Sequence, residues 1–338
     1  MANTVHHEQP GTVWALAVAA ALLTGGLLLL LAAPPPPGSP AGPPATDTLE
    51  PGAYLPFVHR SPASVTPPAP GDWLAYVNYY RALAELPPVA EDSAFSDGAA
   101  LHARYVVKTD VLAHTEDPSS PWYTPAGLAA AEASSLAASA DATKTNEWAI
   151  DSFMQAPFHA VSVLDSALLT VGFGSYREAD GGLQMAAALD VIRGLTTTVP
   201  AAVSFPIIWP AGTMVAPLRL HSSEAPSPLT SCPGYSAPAG LPLIVQIGPG
   251  DVVPDVTAHS FRQGATALAH CVFDETDYAN PDATLQSLGR AILDARDAIV
   301  LIPRQPLTPG ASYSVSITAN GETYDWAFSV ASGAAAAD

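Results

Sequence analysis

Lysine is nearly missing from this chain: Lys108 and Lys144 are the only two in 338 residues. Acidic residues outnumber basic ones 31 to 12, for a net charge of −19. Phosphate binding needs clustered Lys or Arg, so this balance excludes a nucleic-acid partner and argues against an anionic lipid surface. Charge of either sign is thin, at 13% of residues, so the acidity is sparse rather than a polyanionic coat. Cysteine is scarce as well. Cys232 and Cys271 stand alone, with no C-x-x-C pair, which excludes a zinc ribbon and a thioredoxin motif. In an exported domain they read as one disulfide, with two free thiols as the alternative. Closing that loop would stabilise the fold by about 3–4 kcal/mol.

Apolar residues are plentiful at 49%, and they are unevenly placed. Residues 13–33, "VWALAVAAALLTGGLLLLLAA", are uncharged throughout. As a helix they would span about 30 Å, one bilayer core. The flank before them, residues 1–12, has no Lys or Arg, whereas a secretory signal carries a positive n-region. Pro34 follows directly and opposes cleavage at that point. The segment therefore reads as a retained transmembrane anchor, with a cleaved signal helix as the alternative. Either places the rest of the chain outside the cytoplasm. Residues 34–70 are proline-dense and read as an extended linker.

Two folded domains of different texture follow. In residues 71–195, Asp72 is a helix N-cap, and Trp73, Tyr76, Val77, Tyr80 and Ala84 recur at helical spacing before Pro87 and Pro88. Further helices are expected over 93–108 and 146–155, and a short one after His159. Strands over 168–176 and 183–189 flank the turn at 179–182. Helices followed by a small hairpin make an α+β domain. In residues 199–331, short apolar runs alternate with Pro/Gly turns. Near the end, Tyr313, Val315 and Ile317 alternate, Asn320-Gly321 supplies a type I′ turn, and Tyr324, Trp326, Phe328 and Val330 alternate again. This predicts an all-β sandwich, and "LTPGASY" resembles the tyrosine-corner segment of immunoglobulin-like sandwiches. Residues 332–338 are expected to be a disordered tail.

Four polar residues stand among apolar neighbours in the first domain: His114 in "LAHTED", Glu132 in "LAAAEASSLA", Asp151 three residues after Trp148, and His159 behind Pro157-Phe158. Polar groups buried without partners are costly, so these two imidazoles and two carboxylates are expected to partner one another.

The order and spacing of these motifs resemble the CAP superfamily of cysteine-rich secretory, antigen 5 and pathogenesis-related 1 proteins and their bacterial SCP-like relatives. The resemblance covers roughly residues 72–191. "VNYYRALAELPPVAEDSAFSDGAALHARY" is similar to the family's opening pair of helices. "LAHTED" is similar to its first histidine motif, "AEASS" stands where it has Gly-Glu-Asn, "EWAIDSFMQAPFHAVSVL" follows its Trp-x-x-Glu helix and Ser-Pro-Gly-His, and "TVGFG" its Val-Gly strand. The resemblance implies an α-β-α sandwich with a cleft holding His114, Glu132, Asp151 and His159. Three departures stand out. Ala131 and Ala133 flank the glutamate, Asp151 replaces a longer acid, and Phe158 replaces a small residue and would narrow the cleft.

Such a tetrad is either a site for Zn2+ or another divalent metal, ligated by His114, His159, Glu132 and Asp151, or a hydrogen-bonded cluster that binds nothing tightly. Three functions compete. The first is a non-enzymatic extracytoplasmic module binding a small apolar or peptide ligand. The second is a hydrolase using metal-bound water. The third is a structural envelope protein. His102 reads as a satisfied core histidine. Ser162 lacks an oxyanion hole and an orienting third group, and so is no nucleophile. The acidic stretch 274–282 reads as a solvated loop.

Overall fold

The structure is a computed structural model, and it describes residues 66–335 apart from 213. The expected anchor at 13–33, most of the linker and residues 336–338 lie outside the described residues. Among the described residues no helix is long and apolar enough to cross a membrane.

The first helix, α1 (Trp73–Leu83), starts where Asp72 Oδ1 accepts the Ala75 N–H at 2.9 Å. It ends before Pro87 because Glu85 adopts φ +60°, a left-handed conformation that stops the helix. A short strand β1 (Ala90–Glu91) leads into α2 (Ser93–Thr109), capped by Asp92. Then come α3 (Pro125–Ala131), β2 (Ser134–Ser139), α4 (Asn146–Met154), α5 (Pro157–Val163), β3 (Thr170–Arg177) and β4 (Met185–Asp190). The strands form one sheet in the order β1-β3-β4-β2, antiparallel except for the β1–β3 edge.

Helices cover both faces of this sheet. On one face α2 lies almost directly on the β3 backbone. A Cβ added at Gly174 would stand 2.0 Å from the Ala100 nitrogen, so only glycine permits that approach. On the other face Phe173, which alternation turns the opposite way, stacks on Trp73 of α1 with centroids 5.5 Å apart.

The C-terminal part holds two further sheets. One has the order β10-β11-β7-β5, built from β5 (Ile207–Trp209), β7 (Leu243–Gln246), β10 (His270–Phe273) and β11 (Ala298–Pro303). The other has the order β6-β13-β12-β8-β9, from β6 (Val215–Leu218), β8 (Val256–Gln263), β9 (Thr266–Ala267), β12 (Ser312–Ala319) and β13 (Glu322–Ala335). The β12–β13 hairpin turns at Asn320 (φ +54°) and Gly321 (φ +82°), as a type I′ turn requires. The Thr308 N–H donates to the Tyr313 hydroxyl at 2.8 Å, which is the contact a tyrosine corner implies. Cys232 and Cys271 form the disulfide, with Cα atoms 5.6 Å apart.

The region is not all-β. A twelve-residue helix, α6 (Ala283–Asp294), lies between β10 and β11. Asp282 caps it, accepting from Thr284 and Leu285, and Gly289 admits the ring of Tyr278 against its backbone. The acidic stretch before it is only partly solvated, since Asp274 and Tyr278 are buried.

One apolar cluster runs without a break from Val77 and Phe153 to Trp326 and Val330. Polar contacts cross the same boundary. Gln246 Nε2 donates to the Leu164 carbonyl at 3.1 Å, and Arg296 lies 2.9 Å from the Asp165 carboxylate. Phe158 packs edge-on against Tyr278 at 5.1 Å and against Phe273 at 6.4 Å. The large residue expected to narrow a cleft is therefore an anchor for the C-terminal part.

Candidate functional site

Asp151 lies on the inward face of α4, opposite two tyrosines of α1. The Tyr76 and Tyr80 hydroxyls, one helical turn apart, both donate to Asp151 Oδ1, at 2.7 and 2.5 Å. Burial pushes the carboxyl up to about 6, and the two phenolic hydrogen bonds pull the other way without cancelling it. The same burial, with the nearby Asp151 charge, raises both tyrosines.

His159 is the third residue of α5, and its partner comes from the C-terminal part. Glu224 sits in the loop after β6. Its carboxylate accepts the Phe158 and His159 backbone N–H groups at 3.2 and 3.3 Å, and one oxygen lies 3.2 Å from His159 Nδ1. The Glu224 side chain is 0% exposed and that of His159 19%. Pro157 opens the helix and Ala156 offers no side-chain cap, so Glu224 serves as the N-cap from 65 residues away. The same loop is pinned next door: the Ser222 N–H and His221 Nδ1 both donate to the Gln155 carbonyl, at 3.1 and 3.2 Å.

His114, in the loop after α2, donates Nδ1–H to the Ala131 carbonyl at 2.8 Å. In the neutral ring that bond leaves Nε2 as the acceptor. Burial pushes its pKa down to about 4, and the neighbouring His159 and His102 imidazoles push the same way. The two cleft histidines are thus electrostatic neighbours. Glu132 is the C-cap of α3 and is exposed. The buried polar side chain beside it is Ser134, whose Oγ has no hydrogen-bond partner.

Asp151 and His159 each take a partner from outside the expected set of four, while His114 and His159 remain electrostatic neighbours. Asp151 is held by tyrosines, His159 by Glu224 and His114 by a backbone carbonyl, while Glu132 is exposed at the end of α3. Among the described residues no three His, Cys, Asp or Glu side chains are gathered as a metal would need. Asp151 Oδ1, His159 Nδ1 and His114 Nδ1 are already bonded, which leaves Asp151 Oδ2 and the two Nε2 atoms as the groups that would have to hold a Zn2+ ion.

Other expectations resolve simply. His102 is fully buried with Glu116, Nδ1 to Oε1 at 3.0 Å, and Glu116 also accepts the Thr124 N–H. Ser162 Oγ donates to the Phe158 carbonyl within its own helix. Sequence reasoning missed three site residues. Tyr76 and Tyr80 carry a signal, two phenols on one helical stripe, which helical spacing alone does not separate from core. Glu224 carried none, since it lies in a Pro/Ser loop of what read as a separate domain. A pocket of about 100 Å3 lies elsewhere, where Ala84 and Leu86 meet Ile207 and Ile208.

No curated protein matches the chain. Residues 74–188 match the family model described as CAP, the cysteine-rich secretory protein family. That span holds α1 through most of β4, with His114, Glu132, Asp151 and His159, so this part of the chain is similar to the family.

Proposed function

We propose that this chain is a non-enzymatic binding protein outside the cytoplasm. Its CAP domain recognises a small apolar or peptide ligand, and residues 13–33 serve as membrane anchor. The C-terminal part is an immunoglobulin-like sandwich that braces and displays the CAP domain. The observation that supports this reading best is the His159–Glu224 pair. A general base or metal ligand needs its lone pair directed at a reactant. Here His159 Nδ1 faces a fully buried carboxylate of the same chain, which also accepts the Phe158 and His159 backbone amides. That bond locks the ring in one orientation, and the carboxylate spends its remaining contacts on the start of the helix rather than on a reactant.

The test is hydrolysis of generic peptide and ester substrates, with and without added Zn2+, by the wild type and by a His114→Ala, His159→Ala double variant. The expected result is no turnover separating the two proteins. Zn2+-dependent turnover in the wild type alone would establish the hydrolase reading instead.

A further inference from the structure

At the side of the C-terminal part, two edges face each other. Strand β10 is an outermost strand of its sheet, and β8 is nearly so, since β9 pairs with only Arg262 and Gln263. Across this seam, His259 of β8 and His270 of β10 approach with Nδ1 to Nε2 at 2.9 Å, their rings at 81°. His259 is exposed and His270 half-buried.

His270 is fixed from behind. Its Nδ1–H donates to the Leu268 carbonyl at 2.7 Å, so the lone pair of the neutral ring is on Nε2, toward His259. This is the outer-shell bond that metal-ligating histidines characteristically make. The backbone beneath is stiff. Cys271, the next residue, is tied to Cys232, and Phe261 packs edge-on against the His270 ring at 6.1 Å. His259 is held in the β8–β12 ladder opposite Ile317.

The spacing selects among metals. Two nitrogens each about 2.0–2.1 Å from an ion stand about 2.9 Å apart at a right angle and about 3.3 Å apart at the tetrahedral angle. The observed 2.9 Å is the length of the hydrogen bond between the rings, and it is also the separation that the right angle needs. Square-planar and octahedral ions, Cu2+ and Ni2+ among them, place ligands so, and both rank high in affinity for imidazole.

We propose that His259 and His270 form a two-imidazole binding site for a divalent transition ion of right-angle preference, Cu2+ or Ni2+, at the open seam of the C-terminal sandwich. Water completes the coordination from the exposed side. The bound ion replaces the single proton now shared between the rings, which passes from His259 Nδ1 to its Nε2 so that the ring stays neutral, and the ion clips β8 to β10. The site is separate from the CAP-domain histidines and does not depend on the function proposed for them.

The experiment uses the full chain and Cu2+ as probe. Thermal unfolding is followed with and without the ion, beside electron paramagnetic resonance. The variants are His259→Gln, His270→Ala and the His114→Ala, His159→Ala pair. The glutamine substitution keeps a side-chain donor for His270 and lacks the imidazole ligand. His6, His7 and His59 lie outside the described residues and are present in every variant, so the difference in Tm rise between the wild type and the seam variants reports the seam. The expected result is a Cu2+-dependent rise in Tm and a two-nitrogen signal in the wild type. Both should persist in the CAP-domain pair, and affinity should fall at least tenfold in His259→Gln and in His270→Ala. A Tm rise retained in His259→Gln, or none in the wild type, would overturn the proposal and leave a plain hydrogen bond.

Discussion

Asp151 and His114 should make opposite contributions to the pH dependence of stability, and the two can be separated by substitution. Asp151 has its carboxyl raised from 3.8 to about 6 by burial. The folded chain keeps a proton there that the unfolded chain has lost. Its contribution is therefore complete below about pH 4 and disappears as pH rises through about 6. His114 is lowered from 6.5 to about 4, again chiefly by burial. Its contribution is complete above about pH 6.5 and disappears as pH falls through about 4. At about 1.4 kcal/mol per tenfold change in proton affinity, each is worth about 3 kcal/mol. Between pH 4 and 6 the two slopes cancel in the wild type. Asp151→Asn keeps an oxygen acceptor for Tyr76 and Tyr80 and removes one slope, so variant minus wild type should rise by about 3 kcal/mol from pH 4 to pH 6.5. His114→Gln minus wild type should fall by a similar amount. Urea unfolding at half-unit pH steps measures both, and the subtraction cancels every other titrating group. Difference curves that stay flat across this range would refute the claim that burial sets these two pKa values.

Other consequences are as direct. Glu224→Ala strands the His159 ring and two amides at once, and should cost about 3 kcal/mol in urea unfolding, with Glu224→Gln recovering part of it. Gly174→Ala drives a methyl into the α2 backbone and should cost about 3 kcal/mol or more, read as a lowered denaturation midpoint. Cys232→Ser with Cys271→Ser removes a link across 39 residues and should cost about 4 kcal/mol at unchanged fold, read by calorimetry with far-ultraviolet circular dichroism as the control.

What the sequence revealed about the fold was what local rules control. Asp72 announced a helix start, Asn320-Gly321 announced a hairpin, and "TVGFG" marked, by its likeness to the family's strand, the strand that α2 covers. Helix α6 escaped because its inward face is thin. Gly289 and Leu293 are its buried residues, and the burial of Tyr278 against Gly289 is not a periodic signal. The site was legible one residue at a time and illegible as a set. His114, Asp151 and His159 were found because polar groups in apolar runs need partners. Who those partners are depends on packing: Asp151 chose phenols one turn apart on α1, and His159 chose a glutamate 65 residues downstream. Glu132 differs from its neighbours: Ala131 and Ala133 are buried, and it is exposed at the helix end, which an apolar run does not reveal.

Tyr80 gives the arrangement a wider meaning. Its hydroxyl holds Asp151, and its ring packs edge-on against Trp209 of β5 with centroids 5.5 Å apart. A domain of this kind is not portable. Cut from the chain after residue 198, it would keep every residue of its family match and lose Trp209, Glu224, Gln246 and Arg296. Tyr80 would meet solvent where it now meets indole, and α5 would lose its cap. Grafted onto another scaffold, the domain would need those four side chains transplanted with it.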